Sequence, residues 1–180
     1  MAFYYQIRLS GGAEIDLHLA SKILAEALAV YEDKNVVQHI TYGPEARGAA
    51  VRTDLVVSDQ EIYRPKAKEV DLLVALTQEA VDRYTGDVNK QGYLLVDHDA
   101  VRRPPEGSFR VYRLPFVEGA RELGDPRLAC IVVLGAVAAL SPAHNRRAVE
   151  DALLARVPPG TEDPHRAAFD FGFKKMKELL

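Results

Sequence analysis

The chain has 180 residues, of which 48% are hydrophobic and 27% charged, and its 23 basic and 26 acidic side chains give a net charge of -3. This length and composition predict one globular domain rather than a disordered chain. The weakly acidic balance argues against a nucleic-acid partner or an anionic membrane surface, because both require a basic patch on the protein.

Cysteine content and apolar runs exclude further classes of protein. The single cysteine, Cys130, cannot form an intramolecular disulfide, and this chain alone cannot supply the ligands of a four-cysteine iron–sulfur cluster or a cysteine-rich zinc site. The first residues lack the pattern of a secretion signal, and the longest apolar stretch, residues 129–140, is too short to span a bilayer. A cytoplasmic protein with no membrane partner is therefore expected.

Strands and helices alternate through the first two thirds of the predicted structure. Strands are predicted over residues 3–9, 35–42, 49–58, 70–76, 92–97 and 109–114. They are rich in branched and aromatic residues, and several of them stop at a glycine or a proline. Apolar residues at helical spacing predict a first helix from Leu17 to Tyr31, and a short helix from Gln78 to Tyr84 follows the most apolar strand.

The last third of the chain is predicted to be helical. Helices are expected to begin at three pairs of a capping residue and a proline, namely Asp125-Pro126, Ser141-Pro142 and Asp163-Pro164. They are expected to run to about Leu140, Ala155 and Leu180. Together the elements predict an α/β fold, a single three-layer α/β/α domain over residues 1–180 with a mostly parallel or mixed central sheet and a helical C-terminal part.

The turn after the first strand reads Gly11-Gly12-Ala13-Glu14-Ile15-Asp16. At this position α/β proteins often bind phosphate through backbone N–H groups and a helix N-terminus. Here Glu14 and Asp16 stand where phosphate oxygens would need to lie, and the same helix end stabilises both carboxylates. We therefore interpret the turn as an acidic helix cap in preference to a phosphate site.

Spacing alone identifies no catalytic or metal centre, so none is expected in this chain. The five histidines contain no i, i+4 pair, which argues against a zinc site; they are His18, His39, His98, His144 and His165. The sequence Asp97-His98-Asp99 is interpreted as a solvated strand end, since neighbouring strand residues face opposite sides. Cys130 lies in an apolar predicted helix, where the pKa of a thiol rises, so it is not expected to act as a nucleophile.

The segment Tyr42-Gly43-Pro44-Glu45-Ala46-Arg47-Gly48 joins two predicted strands and carries more chemistry than a turn requires. It combines an aromatic residue, a rigid Gly-Pro pair and a Glu/Arg pair two residues apart. One interpretation is a structural loop whose Glu45 and Arg47 pair at the surface for little energy. The other is a loop shaped to dock a partner, because functional residues concentrate on loops held by a rigid scaffold.

This segment resembles the Tyr-Gly-Pro-Glu-x-Arg-Gly signature of the gamma subunits of 2-oxoacid:ferredoxin oxidoreductases. Three further blocks resemble the same family in the same order: LASKILAEA at 19–27, DLLVALTQEA at 71–80 and ELGDPRLA at 122–129. Enzymes of this family convert a 2-oxoacid such as pyruvate, 2-oxoglutarate or 2-ketoisovalerate to an acyl-CoA, carbon dioxide and reduced ferredoxin. The resemblance implies that the chain is a gamma-type subunit of such a complex.

The resemblance also implies cofactors and partners. Alpha and beta subunits are the expected partners, with a delta subunit as a further candidate and ferredoxin reached through the complex. Thiamine diphosphate, iron–sulfur clusters and coenzyme A are expected in the complex, none of them bound by this chain alone. The gamma-type subunit would contribute to assembly and to the coenzyme A site without supplying a catalytic base.

Residue by residue, the resemblance implies two sets of functional positions. The docking loop on the thiamine-binding subunits would comprise Tyr42, Gly43, Pro44, Glu45, Arg47 and Gly48. Candidate coenzyme A residues are Gly11, Gly12, Lys22 and Arg47. The family's Gly-x-Gly-Gly-Gln-Gly turn keeps only Gly11 of its glycines here, and Cys130 replaces a common asparagine. Because Glu14 and Asp16 repel an anion, Lys22 and Arg47 are the residues best able to meet a phosphate.

Two other functions are compatible with the same residues. The chain could be a divergent stand-alone binding or interaction module that kept the fold and lost cofactor binding. It could also be an independent enzyme that binds a nucleotide or coenzyme A. Partner subunits that assemble with the chain would distinguish the first of these from the complex, and coenzyme A titration would test the second.

Overall fold

The computed structural model describes residues 2–41 and 51–180 and contains a six-stranded sheet. Its strands are β1 (Tyr4–Gly11), β2 (Asn35–Thr41), β3 (Val51–Ser58), β4 (Val70–Ala75), β5 (Val88–Asp97) and β6 (Arg110–Leu114). They lie in the order β2-β3-β1-β4-β5-β6. Strands β1, β4, β5 and β6 are parallel neighbours, whereas β3 is antiparallel to both β1 and β2. The predicted α/β fold with a mixed sheet is confirmed.

Helices cover the two faces of this sheet unequally. They are α1 (Leu17–Glu26), which continues as a π-helical turn over Ala27–Tyr31, α2 (Gln78–Tyr84), α3 (Phe116–Glu122), α4 (Ala129–Leu140), α5 (Arg146–Leu154) and α6 (Glu162–Lys177). Buried residues of α1, α3, α4, α5 and α6 form one apolar cluster with one face of the sheet. Helix α2 contributes to a smaller cluster on the opposite face. The three layers expected from the alternating sequence are therefore present.

Helix α4 lies at the centre of the larger cluster and is buried from Ala129 to Ala139. Its small residues allow the backbone of α6 to approach closely. A Cβ atom added to Gly135 would overlap the carbonyl oxygen of Phe169, and one added to Gly172 would overlap that of Val132. The paired glycines thus let two helices pack backbone to backbone. Among the described residues, no helix combines the length and the hydropathy needed to cross a bilayer.

Two helix boundaries differ from the sequence prediction. Helix α3 was not predicted; it directly follows β6 and buries Phe116 against the core. The pair Ser141-Pro142 does not begin a helix: Ser141 ends α4, and Asn145 caps α5, its Oδ1 accepting a hydrogen bond from Arg147 N at 2.9 Å. Asparagine caps a helix as well as serine does, so the cap signal alone could not place this boundary.

The other two capping pairs give one confirmation and one small shift. Asp125 Oδ1 accepts a hydrogen bond from Arg127 N at 2.9 Å and opens a 3-10 turn that leads into α4, as predicted. Helix α6 begins at Glu162, one residue before Asp163, so the predicted cap and its proline lie within the first turn. Proline is tolerated there, because the first N–H groups of a helix have no partner inside it.

Candidate functional site

A cleft of about 510 Å³ lies at the carboxyl end of β5, next to the turn that follows β1. Open α/β sheets generally bind ligands at this edge, outside the carboxyl ends of their strands. The cleft lies between the turn after β1, the end of β5, and α3 with the 3-10 turn that follows it. Its ionisable lining comprises Glu14, Asp97, Asp99, Arg121 and Arg127. Both arginines lie on α3 or the 3-10 turn after it, which together form the helical wall of the cleft. The other side of the cleft carries Glu14 of the first turn.

The first turn is tightly built around its two glycines. A Cβ atom on Gly11 would lie 3.0 Å from Leu76 Cβ, so a larger residue would press on the end of β4. A Cβ atom on Gly12 would overlap the carboxylate of Glu14, which folds back over the glycine. Asp16 Oδ1 accepts a hydrogen bond from Leu19 N at 2.9 Å. Asp16 is therefore the N-cap of α1, which confirms the predicted acidic cap for this residue.

Asp97, at the end of β5, is a structural carboxylate that the sequence interpretation missed. Its side chain is buried, and Oδ1 accepts hydrogen bonds from Asp99 N and Ala100 N at 3.1 and 3.0 Å. Oδ2 accepts a third from Val117 N at 3.1 Å. The prediction of a solvated strand end is wrong for Asp97, because three N–H donors replace water around it. An aspartate followed by a short turn is the signal that could have indicated this local capping.

The same end of β5 brings together a histidine and two acidic residues. His98, Asp99 and Glu118 each place one potential metal-ligand atom within 4.8 Å of the others. Sequence spacing could not reveal this group, because its members lie on two segments that the fold brings side by side. It borders the cleft through Asp99.

The predicted coenzyme A residues do not all lie together. Gly11 and Gly12 are in the first turn, next to Glu14 of the cleft wall. Lys22 instead lines a separate hollow of about 420 Å³, which includes Gln38 of β2 and Arg156. Lys22 was a candidate because of the family resemblance and because its charge could meet a phosphate. The direction of its side chain along α1 was not available from the sequence.

The signature segment, residues 42–48, lies outside the described residues, and with it Arg47 and the rest of the predicted docking loop. The described residues on either side of it are informative. Strand β2 ends at Thr41, opposite Arg52. Strand β3 begins at Val51, opposite Gly11 at the end of β1. Thr41 and Val51 therefore lie at the sheet edge where β1 ends.

The cysteine is confirmed as a buried, unactivated thiol. Burial raises the pKa of Cys130 to about 12, and the nearby negative charge of Asp16 adds to the effect. Its Sγ lies 3.6 Å from the carbonyl oxygen of Arg127. A thiol with this pKa has almost no thiolate at neutral pH and is a poor nucleophile.

Comparison with known proteins identifies the family to which the chain belongs. The profile of the pyruvate ferredoxin/flavodoxin oxidoreductase family matches residues 7–174, and the chain belongs to this family. It is 41% identical over 177 residues to the 2-oxoglutarate synthase subunit KorC of Methanocaldococcus jannaschii, covering 97% of this chain and 95% of the relative. The predicted role as a gamma-type subunit of a 2-oxoacid:ferredoxin oxidoreductase complex is confirmed.

Solved structures agree with this assignment. The gamma subunit of a keto/oxoacid ferredoxin oxidoreductase from Geobacter sulfurreducens PCA is 37% identical, with a TM-score of 0.91 and 98% of each chain covered. A 2-oxoglutarate:ferredoxin oxidoreductase from Magnetococcus marinus, with 2-oxoglutarate, coenzyme A and succinyl-CoA bound, is 19% identical with a TM-score of 0.87. That likeness concerns the fold, and it covers 98% of this chain and 32% of the longer one.

Membership in the family carries consequences for the whole enzyme. Oxidoreductases of this family generally depend on thiamine diphosphate, iron–sulfur clusters and coenzyme A, and a gamma subunit implies partner subunits. The alternative of a stand-alone module is not favoured, because the relatives matched over nearly the whole chain are subunits of complexes.

Proposed function

We propose that the complex containing this chain is cytoplasmic and converts 2-oxoglutarate to succinyl-CoA and carbon dioxide while reducing ferredoxin. The observation that carries this proposal is the 41% identity to a 2-oxoglutarate synthase subunit over 95% of that subunit's length. The Magnetococcus enzyme, which has the same fold over one part of its chain, holds 2-oxoglutarate and succinyl-CoA. These bound molecules support 2-oxoglutarate as the substrate of the proposed complex.

Co-expression with the alpha and beta subunits tests the substrate. We expect the purified complex to reduce ferredoxin with a kcat/KM for 2-oxoglutarate at least about tenfold above those for pyruvate and 2-ketoisovalerate, a difference of about 1.4 kcal/mol in transition-state binding. A complex that prefers pyruvate or 2-ketoisovalerate would contradict the substrate. An active complex that assembles without this chain would contradict the subunit role.

Within the complex, we infer that residues 1–180 act as one gamma-type domain that docks through Tyr42, Gly43, Pro44, Glu45, Arg47 and Gly48. The described neighbours of this segment, Thr41 and Val51, lie at the sheet edge where β1 ends, and this position supports the inference. The thiamine-binding subunits are the expected partners, with a delta subunit where the complex has one.

Charge reversal tests this docking. Arg47→Glu is expected to release the chain from the complex during size-exclusion chromatography, because an interface arginine becomes a repelling carboxylate. Arg102→Glu is the matched control, since it makes the same change at an arginine that is exposed and lies outside the strands and helices. If both variants, or neither, separate from the complex, docking through this loop is contradicted.

Coenzyme A is the ligand that we propose for the cleft. The two arginines of its helical wall, Arg121 and Arg127, offer cationic groups to a phosphate. Arg127 is paired with Asp125, and the hydrogen bonds and negative charge of that carboxylate raise the pKa of the guanidinium. Glu14 covers Gly12, which leaves the helical wall as the better anion-binding side. Arg47 and Lys22 remain candidates for the same role.

Steady-state kinetics of the complex separates these candidates. Arg121→Ala and Arg127→Ala are each expected to raise the KM for coenzyme A about tenfold, because a charged hydrogen bond contributes about 1.5 kcal/mol. Glu14→Gly is expected to lower that KM, since it removes a carboxylate from the cleft. If Lys22→Ala raises the KM more than both arginine variants do, the phosphate lies in the other hollow.

A further inference from the structure

Three potential metal ligands converge at the rim of the cleft. His98 and Asp99 follow the end of β5, and Glu118 lies in the first turn of α3. His98 Nε2 lies 2.9 Å from Glu118 Oε2 and 3.4 Å from Asp99 Oδ2. We propose that these three side chains form a binding site for a divalent transition-metal ion, with zinc as the best-fitting ion.

The two separations from His98 Nε2, 2.9 and 3.4 Å, suit a shared ion, and the two carboxylate oxygens lie within 4.8 Å of each other. Two ligands about 2.0–2.1 Å from one zinc ion, at angles between about 90° and 110°, lie about 2.9–3.4 Å apart. A simple hydrogen-bonded pair describes the group less well. His98 Nε2 is shielded from solvent and makes no hydrogen bond of acceptable geometry, although a carboxylate oxygen is within 3 Å. Both carboxylate oxygens thus lie near the nitrogen without a hydrogen bond to it, as ligands of a shared ion would.

The donor set determines which ions the site prefers. One imidazole nitrogen and two carboxylate oxygens combine the ligand types used by zinc, manganese and iron. Magnesium and calcium prefer sites built from oxygen alone. Zinc sites with three protein ligands keep a fourth position for water or another ligand. Two carboxylates also balance the charge of a divalent ion, which favours its transfer out of water.

The backbone holds these ligands in place independently of an ion. The buried carboxylate of Asp97 accepts hydrogen bonds from Asp99 N and Val117 N, both at 3.1 Å, so it ties the two segments together. Arg113 Nη2 donates a hydrogen bond to the carbonyl oxygen of His98 at 2.7 Å. A site whose supporting backbone is already fixed loses less conformational entropy on binding.

A bound ion would change the electrostatics of the cleft. Asp99 lines the cleft beside the arginines of its helical wall. A divalent ion held by Asp99 and Glu118 would neutralise both carboxylates and so reduce their repulsion of an anionic ligand in the cleft. The metal site itself requires no coenzyme A, so its test and that of the proposed function can fail separately.

Metal titration of the full chain tests the site. The protein, prepared without an affinity tag and stripped of metal by a chelator, is titrated with Zn²⁺ by calorimetry and with Co²⁺ by visible absorption. We expect one Zn²⁺ per chain and a Co²⁺ spectrum typical of low coordination number. His98→Gln and Glu118→Gln are each expected to weaken Zn²⁺ binding at least about tenfold.

Two variants serve as matched controls. Glu122→Gln removes the same charge from the same helix, and His165→Gln removes a histidine on α6; both are expected to bind Zn²⁺ like the wild type. Thermal unfolding with and without Zn²⁺ gives a second measurement, in which only variants with an intact site gain stability from the ion. Absence of saturable binding, equal binding by His98→Gln and Glu118→Gln, or Mg²⁺ binding as tight as Zn²⁺ would each overturn the proposal.

Discussion

One face of the sheet packs against α1, α3, α4, α5 and α6; this helix-rich face buries mainly apolar side chains. The opposite face, covered by α2, buries the positive charge of Arg8. The Arg8 side chain is 1% exposed, and its Nε and Nη2 donate hydrogen bonds to the two oxygens of Asp54 at 2.7 and 3.1 Å. Asp87 accepts a further hydrogen bond, and the Tyr84 ring lies 5.2 Å from the guanidinium carbon. This cation is thus surrounded by groups that stabilise it.

His144, on the helix-rich face, is buried without such compensation. Burial lowers its pKa to about 3, and the positive charge of Lys34 adds to this effect. Burial alone would also lower the pKa of Arg8, but Asp54 and Asp87 outweigh it and raise that pKa. Asp54 thus offsets the desolvation of the Arg8 cation, whereas burial and the positive charge of Lys34 both favour the neutral form of His144.

The largest expected effect comes from Asp54→Ala. Removing this carboxylate leaves Arg8 buried with only part of its compensation, so the free energy of unfolding should fall by about 3–5 kcal/mol. Urea denaturation measures the loss. Asp87→Ala is the matched control, since it removes another partner of Arg8 whose side chain is 45% exposed. Equal losses in the two variants would show that burial does not set the strength of these pairs.

A backbone contact on the helix-rich face should have the next largest effect. In Gly135→Ala, the new Cβ atom overlaps the carbonyl oxygen of Phe169, so α4 and α6 must separate. We expect a loss of about 3 kcal/mol, the upper end for overpacking in a core. Gly86→Ala, where no atom lies within 4 Å of the new Cβ, should change stability little. A loss of similar size at Gly86 would point to backbone conformation instead of helix packing.

The pH dependence of stability tests the neutral histidine. The unfolded chain binds a proton at His144 below about pH 6.5, while the folded chain does so only near pH 3. The contribution of neutral His144 to the free energy of unfolding is therefore fully present above about pH 6.5 and is lost as the pH falls towards 3. Between pH 7 and pH 5, His144 should lower the free energy of unfolding by about 2 kcal/mol. His144→Gln should remove that part of the slope, and an unchanged slope would contradict the prediction.

The smallest expected effects come from the helix caps on the two faces. Asp16 Oδ1 caps α1 through Leu19 N, and Thr77 Oγ1 caps α2 through Ala80 N at 3.2 Å. Asp16→Ala and Thr77→Ala should each lower the free energy of unfolding by about 1 kcal/mol. Asp16→Asn keeps a capping oxygen and should retain most of the stability. If it loses as much as Asp16→Ala, the carboxylate has a role beyond capping.

The order of strands and helices was predictable because it depends on local patterns. The alternation of strands and helices, the buried run before α2 and the Asp125 cap all follow from neighbouring residues. The boundaries of α3 and α5 were not predictable in the same way. Helix α3 has seven residues and gains its stability from Phe116 packing into the core, while Asn145 and Ser141 give equal cap signals.

By itself, the sequence determined the family, the α/β class and the acidic character of the first turn, since each is carried by contiguous residues. Tertiary structure alone decided which side chains meet. Arg8 and Asp54 are 46 positions apart, and only the antiparallel register of β1 and β3 sets them opposite each other. His98 and Glu118 are likewise brought together only by the packing of the end of β5 against α3. Periodicity reports the face of one element, whereas pairing register and packing determine what lies across from it.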